Sequence, residues 1–192
     1  MTGTWATGWA TGDIVTASEF KKTAGSIYDT TLGASAANVD ITGISATYAH
    51  LMMSVYARGD NASANTSMLI QFNGDTAANY DYQLLQAFAA APAASETFAA
   101  TSAFIGLIPA NTAGANLFGS TEFFLPHYAG STNNKESVSI NSLKTGTTTG
   151  LMGVYLIGGA WRSTAAVNRI TIFPVAGNFV AGTRVTIHAL GA

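Results

Sequence analysis

From Ile27 onward, apolar and polar residues alternate with a period of two, in short runs separated by turn-forming residues. Val39 and Ile41 flank Asp40, and residues 50–56 and 67–72 are strand-like runs. Asn73, Gly74 and Asp75 follow Phe72 as a strong turn signal. Residues 80–88 read as a further strand. The Ala-rich stretch 89–101 contains Pro92 and lacks spaced large apolar side chains, so it reads as a loop. Strands are then expected at 103–108, 117–125, 137–143, 151–161, 170–173 and 184–190. Turn chemistry separates them at 111–114, 130–134, 145–150 and 177–178. Nine or ten short strands with Gly, Asn and Thr turns predict an all-β fold, an antiparallel β-sandwich. Jelly-roll connectivity leads because it closes about eight strands in one domain. An immunoglobulin-like sandwich is the alternative, although its Cys–Trp–Cys hallmark is missing.

The opening residues follow a different pattern. Trp5-Ala-Thr-Gly8 repeats as Trp9-Ala-Thr-Gly12, a period of four that is too short for a solenoid. Two indoles on a Gly/Thr backbone cannot form their own core, so they read as anchors on an extended arm. Thr16 and Glu19 match a capping box, which predicts a helix of about two turns with Phe20 and Ala24 on one face. Gly25 ends it. Residues 1–25 are therefore expected to form an assembly arm carrying Trp5, Trp9 and Phe20 as anchors, and residues 26–192 the sandwich.

Charge changes the picture. Only 9% of the 192 residues are charged, against roughly 25% in an ordinary soluble domain. Thr, Ser, Asn and Gly take the place of charge, as suits a protein that covers much of itself with neighbours. The alternative is a Thr/Asn-rich monomeric domain. Net charge is −2, so no basic field exists to attract nucleic acid or an anionic membrane. Cysteine is absent, which excludes disulfides, a thiol nucleophile and cysteine-ligated metals. The first thirteen residues show neither the basic nor the apolar region of a secretory signal. No apolar run approaches the roughly 18 residues of a membrane span, and 151–161 is interrupted by Gly153, Gly158 and Gly159.

Gly12-Asp-Ile-Val-Thr-Ala-Ser-Glu-Phe20 resembles a segment near the start of many tailed-phage tail-fibre and minor structural proteins, with Lys21 or Lys22 replacing their usual Asn. Val39–Leu51 and Phe72–Tyr80, the latter reading FNGD with a following Asn79-Tyr80, are similar to pieces of a β-rich module of phage virion proteins. Residues 158–164, 170–172 and 177–185 resemble that module's closing hairpin, although this chain has Ile187-His-Ala-Leu-Gly191 where the module has LYG. The resemblance is weakest between Ala87 and Thr149. It implies a tailed-phage structural protein, tail-associated in preference to head, and multimeric, with a trimer as the first expectation. Related modules also occur as head decorations. No catalytic residues come with the pattern.

The candidate chemistry is sparse. His50, His127 and His188 lie in different strands or loops without metal-ligand spacing, so neither metal nor cofactor is expected. Nucleophile elbow, P-loop and dinucleotide fingerprint are all missing. Asp75 and Asp81 are the nearest approach to a glycosidase carboxylate pair, but a turn explains Asp75. Arg58-Gly59-Asp60 spells an integrin-binding tripeptide and reads better as a strand end and turn. Trp161 and Arg162, with His127 and Tyr128 from another loop, form a candidate ligand rim for glycan. Trp161 also continues the alternation of Tyr155, Ile157 and Gly159, which favours packing at a sandwich end. The expected function is a non-enzymatic virion component that docks onto other virion proteins through its arm. The alternatives are a host-glycan receptor-binding module and a capsid decoration protein.

Overall fold

The computed structural model describes residues 26–147 and 151–191. The arm, its helix and the anchors Trp5, Trp9 and Phe20 lie outside the described residues. Within them the chain forms twelve strands and no helix. In chain order these are β1 (Ser26–Thr31), β2 (Val39–Thr42), β3 (His50–Ala57), β4 (Asn65–Phe72), β5 (Tyr80–Phe88) and β6 (Ala91–Ala100). The second half holds β7 (Ala103–Pro109), β8 (Gly119–Pro126), β9 (Lys135–Lys144), β10 (Met152–Trp161), β11 (Arg169–Pro174) and β12 (Arg184–Leu190).

Two antiparallel sheets pack as a sandwich. One has eight strands in the order β1-β12-β3-β8-β9-β10-β5-β6, the other four in the order β2-β11-β4-β7. From β2 onward the chain crosses between sheets in the jelly-roll manner. Strand β2 lies in the small sheet, β3 in the large, β4 in the small, and the β5–β6 hairpin in the large. After β7 in the small sheet, the position of a single jelly-roll strand is filled by the β8–β9–β10 meander; β11 and β12 then complete the two sheets.

The period-two pattern accounts for this arrangement. Strand β3 buries Leu51, Met53, Val55 and Ala57 and turns the intervening residues outward, and β10 buries Tyr155, Ile157 and Trp161 in the same way. The main core lies between the sheets around Phe72, Tyr80, Phe123, Trp161 and Phe179. A smaller cluster of Phe104, Leu143, Tyr155 and Ile157 fills one end. Asn141 of β9 joins the layers: its Oδ1 accepts from the Leu107 N–H at 3.0 Å, and its Nδ2 donates to Leu107 O at 3.0 Å and Thr121 Oγ1 at 2.9 Å. Gly106, at φ 151°, makes room, because a Cβ there would lie 2.6 Å from Asn141 Cγ.

The stretch expected as a loop at 89–101 is instead mostly strand β6, paired with β5 at the sheet edge. Nearly all its side chains are exposed, so it has no buried face to print a period on the sequence. Pro92 is tolerated because the strand has a neighbour on one side only. The connection uses Ala89 at φ 55°, where a turn signal would be Gly or Asn. Strand β1 also lies at an edge, beside β12.

Candidate binding surfaces

At one end of the sandwich, the Asn73-Gly74 turn leaves β4 with both residues at positive φ, 53° and 70°, closed by the Asp75 N–H on Phe72 O at 2.9 Å. The turn aims Asp75 inward. Its Oδ1 accepts from the Ala77 N–H at 2.9 Å, and its Oδ2 from Asn79 Nδ2 at 2.9 Å and Trp161 Nε1 at 2.7 Å. Burial alone would raise the Asp75 pKa, but the donors Asn79, Trp161 and Ala77 together hold it below the usual carboxylate range. Tyr80 closes the cluster: its hydroxyl donates to Asp75 O at 3.1 Å and accepts from the Phe72 N–H at 2.9 Å. Burial pushes the Tyr80 phenol up to about 12, so it stays a donor. Behind Trp161, the buried Lys135 ammonium donates to Asn133 O at 2.9 Å and Thr164 O at 3.1 Å.

These contacts decide where the proposed rim residues fall. Trp161 is 3% exposed, stacked near Tyr80 at 6.4 Å and tilted against Phe72 at 5.5 Å. Its ring belongs to the core. Tyr128 is also buried, donating its hydroxyl to Ser45 O, while its own carbonyl accepts from the Val167 N–H. Neither aromatic face is available to a sugar, because both serve to close the sandwich. Arg162 is at the surface, paired with Asp81 at 3.3 Å and bonded to Ala78 O. His127 is exposed, at φ 48°, with its ring edge-on to His50 at 5.0 Å. The four residues do not assemble into one stacking platform.

Other motifs turn inward as well. Arg58 clamps three carbonyls, those of Gly114, Leu117 and Ala113, at 2.7, 3.0 and 3.1 Å. Asp60 accepts from the backbone and side chain of Asn178 at 2.7 and 3.1 Å, and these bonds hold its pKa low. The tripeptide is thus built into the fold. Among the described residues no group of His, Asp and Glu could hold a metal ion.

What the sequence reading did not single out is the outer face of the large sheet. In register across β5, β10, β9, β8 and β3 lie Leu85, Leu156, Ile140, Glu122 and Ser54. The row on one side holds Ala87, Val154, Ser142, Ser120 and Tyr56; the row on the other holds Gln83, Gly158, Val138, Phe124 and Met52. Leu85 is 56% exposed, Ile140 57% and Leu156 47%. In 151–161 both alternating sets are apolar, so one set had to face outward. In 137–143 the polar set Ser139 and Asn141 turns inward to bond Ile105 O and Leu107, which leaves Val138 and Ile140 on the outer face. Toward one end, Gly158 floors a shallow depression of about 390 Å³ walled by Phe98, Glu96, Glu136 and Asp81, with Gln83 alongside. Comparison with family models, with curated proteins and with solved structures gave no match.

Proposed function

We propose that this chain is a non-enzymatic structural protein of a tailed-phage virion, tail-associated as a fibre or tail-tip component, present in multiple copies and docked through residues 1–25. The observation that carries the reading is jelly-roll connectivity on a charge-poor chain, with eight basic and ten acidic residues in 192. Jelly rolls recur in viral capsid and lectin domains, and a surface with this little charge suits one crowded by neighbours. The resemblance of residues 12–20 and 72–80 to virion proteins supports the same setting. The test is to label the protein on intact particles and determine its place and copy number. A tail position in repeated copies is the expected result; a head position would make it a capsid decoration, and absence from particles would overturn the reading.

A second reading, a host-glycan receptor-binding module, draws on the depression over Gly158. Phe98 there is 68% exposed, and Gln83, Glu96 and Glu136 surround it with hydrogen-bonding groups. Phe98→Ala should abolish adsorption to host cells at unchanged stability under this reading, and unchanged adsorption would remove it.

A further inference from the structure

We propose that the outer face of the eight-stranded sheet is the contact between copies, two of them packing face to face about a two-fold axis near Leu156. The inference deepens the multimeric virion reading and rests on it for its biological setting. The three rows across β5, β10, β9, β8 and β3 contain fifteen positions, of which Glu122 alone is charged. Its carboxylate already accepts from Ser54 Oγ at 2.6 Å. Among the described residues nothing covers this face, since the four-stranded sheet lies against the opposite side.

The area fits a reversible contact with a second copy. Five strands spaced about 4.8 Å apart, with three rows about 6.7 Å apart, cover roughly 24 by 20 Å, or ~480 Å² on each copy. Two such faces bury ~960 Å² together, the size of a weak, reversible contact. Monomers rarely leave contiguous apolar patches beyond a few hundred Å² uncovered. The middle is apolar and the margin polar, with Asp81, Glu96 and Glu136 at one side and the Asp29–Arg184 pair at the other. Self-pairing also avoids charge conflict: with the axis at Leu156, the two copies of Glu122 stand two strands either side of it, about 20 Å apart. Two twisted sheets stack in this way about 10 Å apart, with strands rotated by about 30°. A self-complementary patch closes in pairs, whereas a three-fold ring needs two different surfaces.

Because the chain has no cysteine, one introduced thiol reports the contact without background. Leu156→Cys in the full chain should give a disulfide-linked dimer on oxidation, while Val175→Cys, more exposed but outside the large sheet, should not. Leu156→Glu with Ile140→Glu should remove the dimer peak in sedimentation at tens of micromolar and leave the urea midpoint unchanged. If that double variant fails to fold, the thiol pair decides. A wild-type monomer, a trimer, an oligomer that survives the double substitution, or cross-linking equal at both cysteines would overturn the proposal. None of those results touches the virion reading, which falls only if the protein is absent from particles.

Discussion

Asn141 ties two sheets together through one side chain, and its cost of removal follows from what it leaves behind. Asn141→Leu strands the Leu107 N–H and C=O in a dry interior, which should lower stability by about 2–4 kcal/mol in urea unfolding. Gly106→Ala drives a methyl into the same amide and should cost about 1–3 kcal/mol. Trp161→Ala opens the core beside Phe72 and Tyr80 and removes a donor from Asp75, so a loss of about 3–5 kcal/mol is expected. Phe98→Ala, at an exposed edge, should stay within about 0.5 kcal/mol. The packing role of Trp161 was legible because it extends the alternation of Tyr155 and Ile157. Its bond to Asp75 was not, because 86 positions separate the partners and only the tertiary fold brings them together.

Two strands at sheet edges are fastened by the same device. Asp29 of β1 accepts both Arg184 Nε at 3.0 Å and Nη2 at 2.8 Å, with Thr186 Oγ1 at 3.1 Å. Asp40 of β2 accepts Arg169 Nε at 2.7 Å and Nη2 at 2.9 Å, with Thr171 Oγ1 at 2.7 Å. In both, an Arg-x-Thr on the inner strand grips an Asp on the edge strand, and the Arg hydrogen bonds hold each Asp pKa below its ordinary 3.8. Between the folded and unfolded values the unfolded chain binds more protons, so stability falls as pH drops below about 4. Urea midpoints measured from pH 5 to pH 2 should decline, and Asp29→Asn with Asp40→Asn should flatten that decline. The strands that pack were readable from their buried faces, as in β3 and β10. Strand β6 was not, since an Ala-rich strand with an exposed Pro92 carries no periodic apolar face, and register with β5 alone defines it. The Arg-x-Thr pair is a pattern visible in the last two strands, but its meaning depends on which edge each strand meets.

For the whole molecule, jelly-roll crossing was inferred from strand number and turn chemistry, while the expansion of one strand position into the β8–β9–β10 meander needed the structure. Deleting residues 1–25 should leave a cooperatively unfolding, β-rich protein that no longer enters particles. A markedly lower unfolding midpoint would instead assign that segment to the stability of the sandwich. Strand β12 has a further consequence, set by its place between β1 and β3. Asp29 and Arg184 stand 155 positions apart, so an interior member of the large sheet is synthesised long after both of its neighbours. Until it arrives, β3 presents a bare edge beside an uncovered apolar face, the kind of template on which nascent chains cross-pair. Closing so long a loop is slow, and refolding should fall in the millisecond-to-second range of sandwich proteins. A chain ended at Ala181 lacks β12 altogether and should appear in the pellet after expression, whereas the 192-residue chain should stay in the supernatant. Synthesis rate and crowding during assembly thus become part of how this fold is obtained, because its sheet cannot be completed from one end.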